Sequence, residues 1–446
     1  MKLKVQPIKM QSMYDFWAQK PVVAAEAWVK GPTKPRDALR IKEVPPEDVS
    51  LETLQIKGII EVCEPLRVEA PEDLEKVPED VDFFVIGKSE DFFVQDVILE
   101  KLISLNKPIL AEWDNWGYSW FGRWSKLRFG KFSKAKYYYP LGANDLKTVL
   151  SAIKAWKCIR TMRVIYVGGV PPHGVVSSDK SSDFNYLKKR FGTDFIHLDF
   201  ADYMKAVENT SDSDVEGLVK EWKREYTILD RRDKKLKFYA KIYSGLKRLL
   251  NQYNANAVTV DCAWLPDIEY VPCFAFSILI DEGVPAGCEA DIPAFYMMVA
   301  IMSISGKPVI MGNLNNNATH WDLENNVITI NHDVIPPSMG CSGCRLKLRD
   351  FHAMRKGLTP YVDLEKDMPV TVAGMHWDMD KIWATKGTVQ WSEDTTHCRI
   401  TVGIKVENAK EMHKSSFGHH VVMTYGNYTR ELRKLAELLE IRYTPL

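Results

Sequence analysis

The texture of the sequence changes once, near residue 326, and that change limits the fold more than any other feature of the chain. Before it, short apolar runs alternate with amphipathic stretches long enough to form helices. After it, apolar runs follow one another with turn residues between them and few helices. The first pattern belongs to parallel sheets covered by helices on both faces. The second belongs to an antiparallel sheet or barrel. The expected fold class is therefore α/β: two α/β domains with parallel sheets, then a C-terminal antiparallel β-barrel-like domain. The texture gives boundaries of 1–160 for the N-terminal α/β domain, 161–326 for the central α/β domain, and 327–446 for the barrel-like domain with a terminal helix. A chain of 446 residues suits this division, because domains commonly hold roughly 100–200 residues.

In the first domain, residues 22–29, 58–62, 82–86, 108–111 and 137–139 read as strands, with helices over 92–105 and 143–156. The pattern restarts at Thr161 with strands over 164–167, 195–198 and 258–260. A long helix is predicted over 232–253, where Leu236, Tyr239, Ile242, Leu246 and Leu249 line one face. The strand at 164–167 ends in Gly168-Gly169, but the run Gly-Gly-Val-Pro-Pro-His-Gly is not a GxGxxG fingerprint. Its two prolines also oppose an immediate helix. In the last domain, residues 327–330, 370–373, 381–384, 387–391, 400–406 and 421–425 read as strands, and 428–439 as a closing helix.

Lys plus Arg and Asp plus Glu both number 59, which gives no electrostatic reason to expect nucleic acid or an anionic membrane as partner. Residues 1–30 lack a signal-peptide pattern, and no run of about 18 apolar residues exists. The apolar stretch 292–304 is too short to span a bilayer and reads as a buried helix. Cys63, Cys158, Cys262 and Cys273 sit in apolar surroundings, where a free thiol acts as a small hydrophobe. Together these features predict a cytoplasmic protein. Cys341 and Cys344 form a lone CxxC without the second pair of a zinc ribbon, so the stretch reads as a loop.

The residues with chemistry to offer gather late. Every histidine except His173 and His197 lies at or after His320. Histidine and carboxylate are suitable ligands for a divalent ion such as Mn²⁺. Glu289 stands in Gly287-Cys288-Glu289-Ala290-Asp291, just before the apolar helix. It reads either as a site carboxylate or as an acidic residue favoured by the helix dipole. Asn313, Asn315, Asn316 and Asn317 follow an apolar run at 308–310. Loops after parallel strands commonly hold ligands, and these amides suit a polyhydroxyl substrate; a plain Asn-rich turn is the other reading. His332 lies on or just after a strand, and His419 and His420 open another. Adjacent strand residues face opposite ways, so only one of that pair enters a given site. His352, His376, His397 and His413 read as structural. Trp113 and Trp116, with Trp120 and Trp124, can stack on sugar faces or fill interfaces.

Taken in order, Cys288-Glu289-Ala290-Asp291, Ser305-Gly306-Lys307-Pro308, Asn313-Leu314-Asn315-Asn316-Asn317, His332, residues 369–373 and residues 418–426 form a pattern. It resembles the L-fucose/L-arabinose isomerase superfamily, with the closest likeness to its fucose isomerase-like branch. The resemblance implies two Rossmann-like domains and a barrel-like domain, aldose–ketose isomerisation of a free sugar, and a divalent metal, Mn²⁺ being expected. It implies a homo-oligomer, trimer or hexamer. It matches Glu289 to the first metal carboxylate, and to the base, and His419 to the metal histidine. His332 falls near a further histidine ligand of the arabinose branch. Asn313 falls where the family carries its second catalytic, metal-bound carboxylate, so the sequence departs from the pattern at one ligand. Asn315, Asn316, Trp113, Trp116 and His420 are left as expected substrate contacts. Another metal-assisted enolising or epimerising enzyme, and a non-catalytic sugar-binding homologue, are the alternatives.

Overall fold

The computed structural model describes residues 2–10, 51–86, 96–111, 132–133, 135–140, 143–172, 178–314, 321–396 and 399–446. The chain divides into two compact units, Met1–Lys154 and Ala155–Leu446. The first contains β1 (Leu3–Met10), α1 (Leu51–Ile56), β2 (Ile60–Val62), β3 (Leu66–Val68), β4 (Phe83–Ile86), α2 (Asp96–Ser104), β5 (Ile109–Ala111) and β6 (Tyr137–Tyr138). Its sheet runs β2-β1-β4-β5-β6, with β3 also on β1, and every pairing is parallel. Ile8, Phe84, Ile86, Leu99, Leu102 and Ile109 lie in its core. The strand at 22–29 and the start of the helix at 92–105 were expected in segments outside the described residues.

Helix α3 (Ala143–Arg160) carries the chain into the second unit. There follow β7 (Arg163–Val167), α4 (Phe184–Phe191), β8 (Asp194–Leu198), α5 (Phe200–Glu208), α6 (Asp212–Glu225), β9 (Thr227–Ile228), α7 (Leu236–Gln252), β10 (Ala257–Val260), α8 (Cys273–Asp281), β11 (Ala286–Cys288) and α9 (Ile292–Ser305). Strands β8-β7-β10-β11 form a parallel sheet. The predicted face of α7 is buried at Leu236, Tyr239, Ile242, Leu246 and Leu249, because those spacings fall on one stripe of a 3.6-residue helix. Its first turn, Arg232–Lys235, is a 3₁₀ turn. Helix α9 is apolar all round and is buried along nearly its whole length, as such a composition requires. Asp291 caps its N-terminus, accepting a hydrogen bond from the Ala294 backbone N–H.

The antiparallel region is a closed barrel. Its strands are β12 (Ile310–Leu314), β13 (Val327–His332), β16 (Pro369–Met375), β17 (Lys381–Asp394), β18 (Ile400–Val406) and β19 (His420–Tyr425). Strands β14 (Lys347–Arg349) and β15 (Thr359–Tyr361) leave it to form a small sheet with β9. The barrel order is β16-β19-β12-β13-β18-β17, closed by the β16–β17 pairing. After α10 (Ala409–Ser415) and α11 (Thr429–Leu439), β20 (Arg442–Pro445) adds to β17 in parallel. Helix α9 packs on β16 and β19 from outside the barrel.

Two readings of the sequence change here. Residues 381–384 and 387–391 belong to one strand, β17, with a bulge between Val389 and Trp391. Asn313 stands on β12 itself, which is antiparallel and part of the barrel, rather than in a loop after a parallel strand. Cys341 and Cys344 are joined as a disulfide. Among the described residues no helix is long and apolar enough to cross a membrane.

Candidate metal centre

Glu289 is the first residue beyond β11, at the carboxyl end of the central parallel sheet. Glu289 and Ala290 both hold positive φ, 56° and 50°. Side chains with a Cβ rarely adopt this left-handed conformation, and it recurs at functional sites. The turn swings the chain from β11 to the Asp291 cap of α9 and leaves the Glu289 carboxylate facing the barrel histidines.

Two histidines meet that carboxylate. His332, the last residue of β13, brings Nε2 to 3.4 Å from Glu289 Oε1. His420, the first residue of β19, brings Nε2 to 3.7 Å from Glu289 Oε2. The two imidazoles lie edge to face with ring centres 5.0 Å apart. Candidate ligand atoms of Glu289, His332 and His420 all fall within 4.8 Å of one another. No other such group of three occurs among the described residues.

Asp291 fixes one of the rings. Its Oδ2 lies 2.9 Å from His420 Nδ1, while its Oδ1 caps α9. A carboxylate on one imidazole nitrogen sets the tautomer and orients the other nitrogen, as in many metal sites. His420 Nε2 is buried and has no hydrogen-bond partner. A buried, oriented, unpartnered imidazole nitrogen beside a carboxylate fits a divalent cation, so the residues present suit the ion expected from the sequence.

Electrostatics favour an ionised Glu289 carboxylate. Burial alone would raise the Glu289 carboxyl, but the bond to His332 and the fields of His420, His332 and His419 outweigh it and pull the group down to about 2. Burial opposes charge on His332, yet Glu289, Asp333 and Asp291 together raise its pKa. His419 is lowered, first by burial and then by neighbouring His420.

The register sets which residues share a face with His420. Asn313 on β12 lies opposite His420 on β19 and opposite Asn331 on β13. Residues directly opposite in antiparallel strands share a face. His420, Asn313 and Asn331 therefore form a row on one face, the outer one, because His420 meets the cap of α9. Asn313 Nδ2 donates to the Asn331 carbonyl at 3.3 Å. Gly312 permits this approach: a Cβ there would lie 2.8 Å from the Asn331 carbonyl oxygen.

Of the sequence-predicted ligands, the structure brings Glu289 and His332 near one another. His419 is not in the cluster; His420, expected as a substrate contact, is. The reason is period-two alternation: a one-residue step moves a side chain to the opposite face. Asn313 adjoins the cluster across the strand from His420. Asn315, Asn316, Trp113 and Trp116 lie outside the described residues. The sequence reading missed Asn331 and the pairing of His352 Nε2 with buried Asp333 Oδ2 at 2.7 Å. The signal for both was present in Ile330-Asn331-His332-Asp333, three consecutive polar residues ending a β-branched strand.

Residues 181–307 match the model of the L-arabinose isomerase central domain. The chain is also 26% identical over 147 residues to an L-arabinose isomerase of Arthrobacter sp. (strain FB24), an alignment covering 31% of this chain and 28% of that protein. Both matches support the L-arabinose/L-fucose isomerase superfamily. The domain match contains Glu289 and Asp291 and ends before Asn313, His332 and His420. The barrel contribution to the cluster thus rests on geometry that the domain match does not reach.

Proposed function

We propose that this chain is a metal-dependent aldose–ketose isomerase acting on a free pentose, hexose or deoxysugar, of the fucose isomerase-like branch. The observation that carries this reading is the orphaned Nε2 of His420, oriented by Asp291 and set beside Glu289 and His332. Glu289, His332 and His420 would hold the divalent ion, with Mn²⁺ expected and Asn313 at the edge of the set. Bound there, the cation supplies Lewis-acid polarisation of the sugar's carbonyl and hydroxyl oxygens.

The chain's own work is proton transfer. Glu289 as carboxylate takes the proton from C2 of the aldose and returns it to C1, while the hydroxyl proton passes from O2 to O1. The product is the ketose, and no net oxidation occurs. Asp291 holds His420, and Asp333 holds His352 and the Arg399 backbone N–H at 3.2 Å, so both carboxylates serve positioning. The protein would work in the cytoplasm as a homo-oligomer, trimer or hexamer, which light scattering in solution can count.

A second reading, a sugar-binding homologue without catalysis, is favoured by one observation. Asn313 is neutral where the family carries a carboxylate, and it cannot take a proton. Incubation with Mn²⁺ and a panel of aldoses in deuterium oxide separates the readings. Isomerase activity forms the ketose and, where the proton held by Glu289 exchanges with solvent, places deuterium on the sugar carbons, both detected by NMR. Bound metal and bound sugar without exchange would leave the non-catalytic reading standing.

A further inference from the structure

Asn331 is 1% exposed, and neither its Nδ2 nor its Oδ1 has a hydrogen-bond partner. A buried carboxamide left unsatisfied on both ends is costly and is usually retained for a partner. Its neighbours on the ladder are served differently. Asn313 donates to the Asn331 carbonyl. Thr401, opposite Asn331 on β18, has Thr395 Oγ1 at 3.4 Å from its own hydroxyl. The open donors and acceptor of Asn331 are thus a property of this side chain and not of the whole row.

The register says what the side chain faces. Asn331, Asn313 and His420 occupy one level of three neighbouring strands on one face. His420 brings that face to the Glu289 carboxylate, while His332, next to Asn331 at the end of β13, reaches the same carboxylate from the other face. Two strand spacings separate Asn331 from His420, roughly 10 Å. A carboxamide offers two donors and an acceptor and carries no charge. That chemistry matches a sugar hydroxyl, which both donates and accepts, better than it matches an ion.

Resting on the isomerase reading, we propose that Asn331 binds a hydroxyl at the end of the sugar remote from the reacting C1–C2 carbons, and so helps set which sugars are accepted. The reacting end lies at Glu289, and the far end lies along the row toward β13.

The test uses the full-length, Mn²⁺-loaded protein, with pentitols and hexitols as unreactive probes and calorimetry as the readout. Asn331→Leu keeps a similar volume and removes both polar ends. We expect the melting temperature to hold or rise, because an unsatisfied amide is replaced by an apolar group. Mn²⁺ affinity should stay within about twofold, and affinity for the best polyol should fall about tenfold or more. Asn331→Ser, a smaller change, should give an intermediate loss if the Leu variant does not fold. Unchanged polyol affinity in a folded variant overturns the inference while leaving the isomerase reading intact. A Leu variant that loses melting temperature yet keeps polyol affinity also overturns it, because the amide would then be holding a structural water. A wild-type protein that binds Mn²⁺ but no polyol and exchanges no sugar proton removes the isomerase reading, and this inference with it.

Discussion

The central sheet and the barrel build the cluster by different rules. The parallel sheet supplies Glu289 from just past the end of β11, aimed by a left-handed turn. The barrel supplies His332, His420 and the Asn313–Asn331 row from residues within its hydrogen-bonded ladder. At a strand end, position is set by the local turn. Within a ladder, position is set by register, and a shift of one residue turns every side chain to the other face. The central sheet contributes a carboxylate; the barrel contributes oriented imidazoles and carboxamides. If that division is correct, variants in the two regions must fail in different ways.

The largest effect should come from the barrel. His420→Ala removes the orphaned Nε2, and Mn²⁺ affinity should fall by more than the roughly 10–100-fold that accompanies loss of an outer partner. His419→Ala, on the neighbouring position, should change Mn²⁺ affinity little. Calorimetry on both variants checks this. A larger loss in the His419 variant would mean that the register of β19 differs from that described.

The next effect belongs to the central sheet. Glu289→Gln keeps the shape and removes the base, so turnover should fall on the order of 10² or more. Deuterium exchange into the sugar measures it directly. Near-normal exchange would eliminate Glu289 as the proton acceptor and end the claim that the sheet supplies the reactive charge.

Asp291 joins the two regions and allows them to be separated. Asp291→Asn retains an oxygen able to cap α9, and asparagine caps about as well as aspartate. Helix stability should therefore hold. The carboxylate charge facing His420 Nδ1 is lost, and Mn²⁺ affinity should drop roughly 10–100-fold. Asp291→Ala should lose the same affinity and also about 1 kcal/mol of stability from the missing cap. Equal melting temperatures for the two variants would show that the cap contributes nothing here.

The same contrast explains what could be read from the sequence. The parallel sheet was legible because its strands and helices alternate with different periods, and Glu289 stood beside a helix too apolar to be exposed. The two-histidine problem was legible only halfway. Alternation says that one of His419 and His420 enters the site, but choosing between them needs the pairing of β19 with β12, a contact between residues more than a hundred positions apart. Glycines blurred the barrel strands. The expected strand at 387–391 opens on Gly387, yet β17 runs through it from Lys381, and a Cβ there would lie 2.6 Å from Ile404. Gly312 stands inside β12 under the same constraint, with the Asn331 carbonyl oxygen 2.8 Å from where a Cβ would lie. A glycine inside a strand marks close approach as readily as a turn, and only the neighbour across the ladder tells which.

The smallest predicted effect is the most informative about the barrel row. Asn313 lies opposite His420, so Asn313→Asp would place a hard anionic oxygen beside the proposed ion and should tighten Mn²⁺ binding. The same change removes the Nδ2 donor that meets the Asn331 carbonyl, costing roughly 1 kcal/mol in the metal-free protein. Tighter metal and a lower metal-free melting temperature are therefore expected together. Turnover then distinguishes the two readings of function. In an isomerase adapted to a neutral residue, the added charge should lower turnover. In a homologue that lost catalysis with this carboxylate, it should raise exchange from near zero. Unchanged Mn²⁺ affinity with the expected loss of stability would mean that Asn313 holds the strands together and takes no part in the metal centre, leaving Glu289, His332 and His420 as the whole of it.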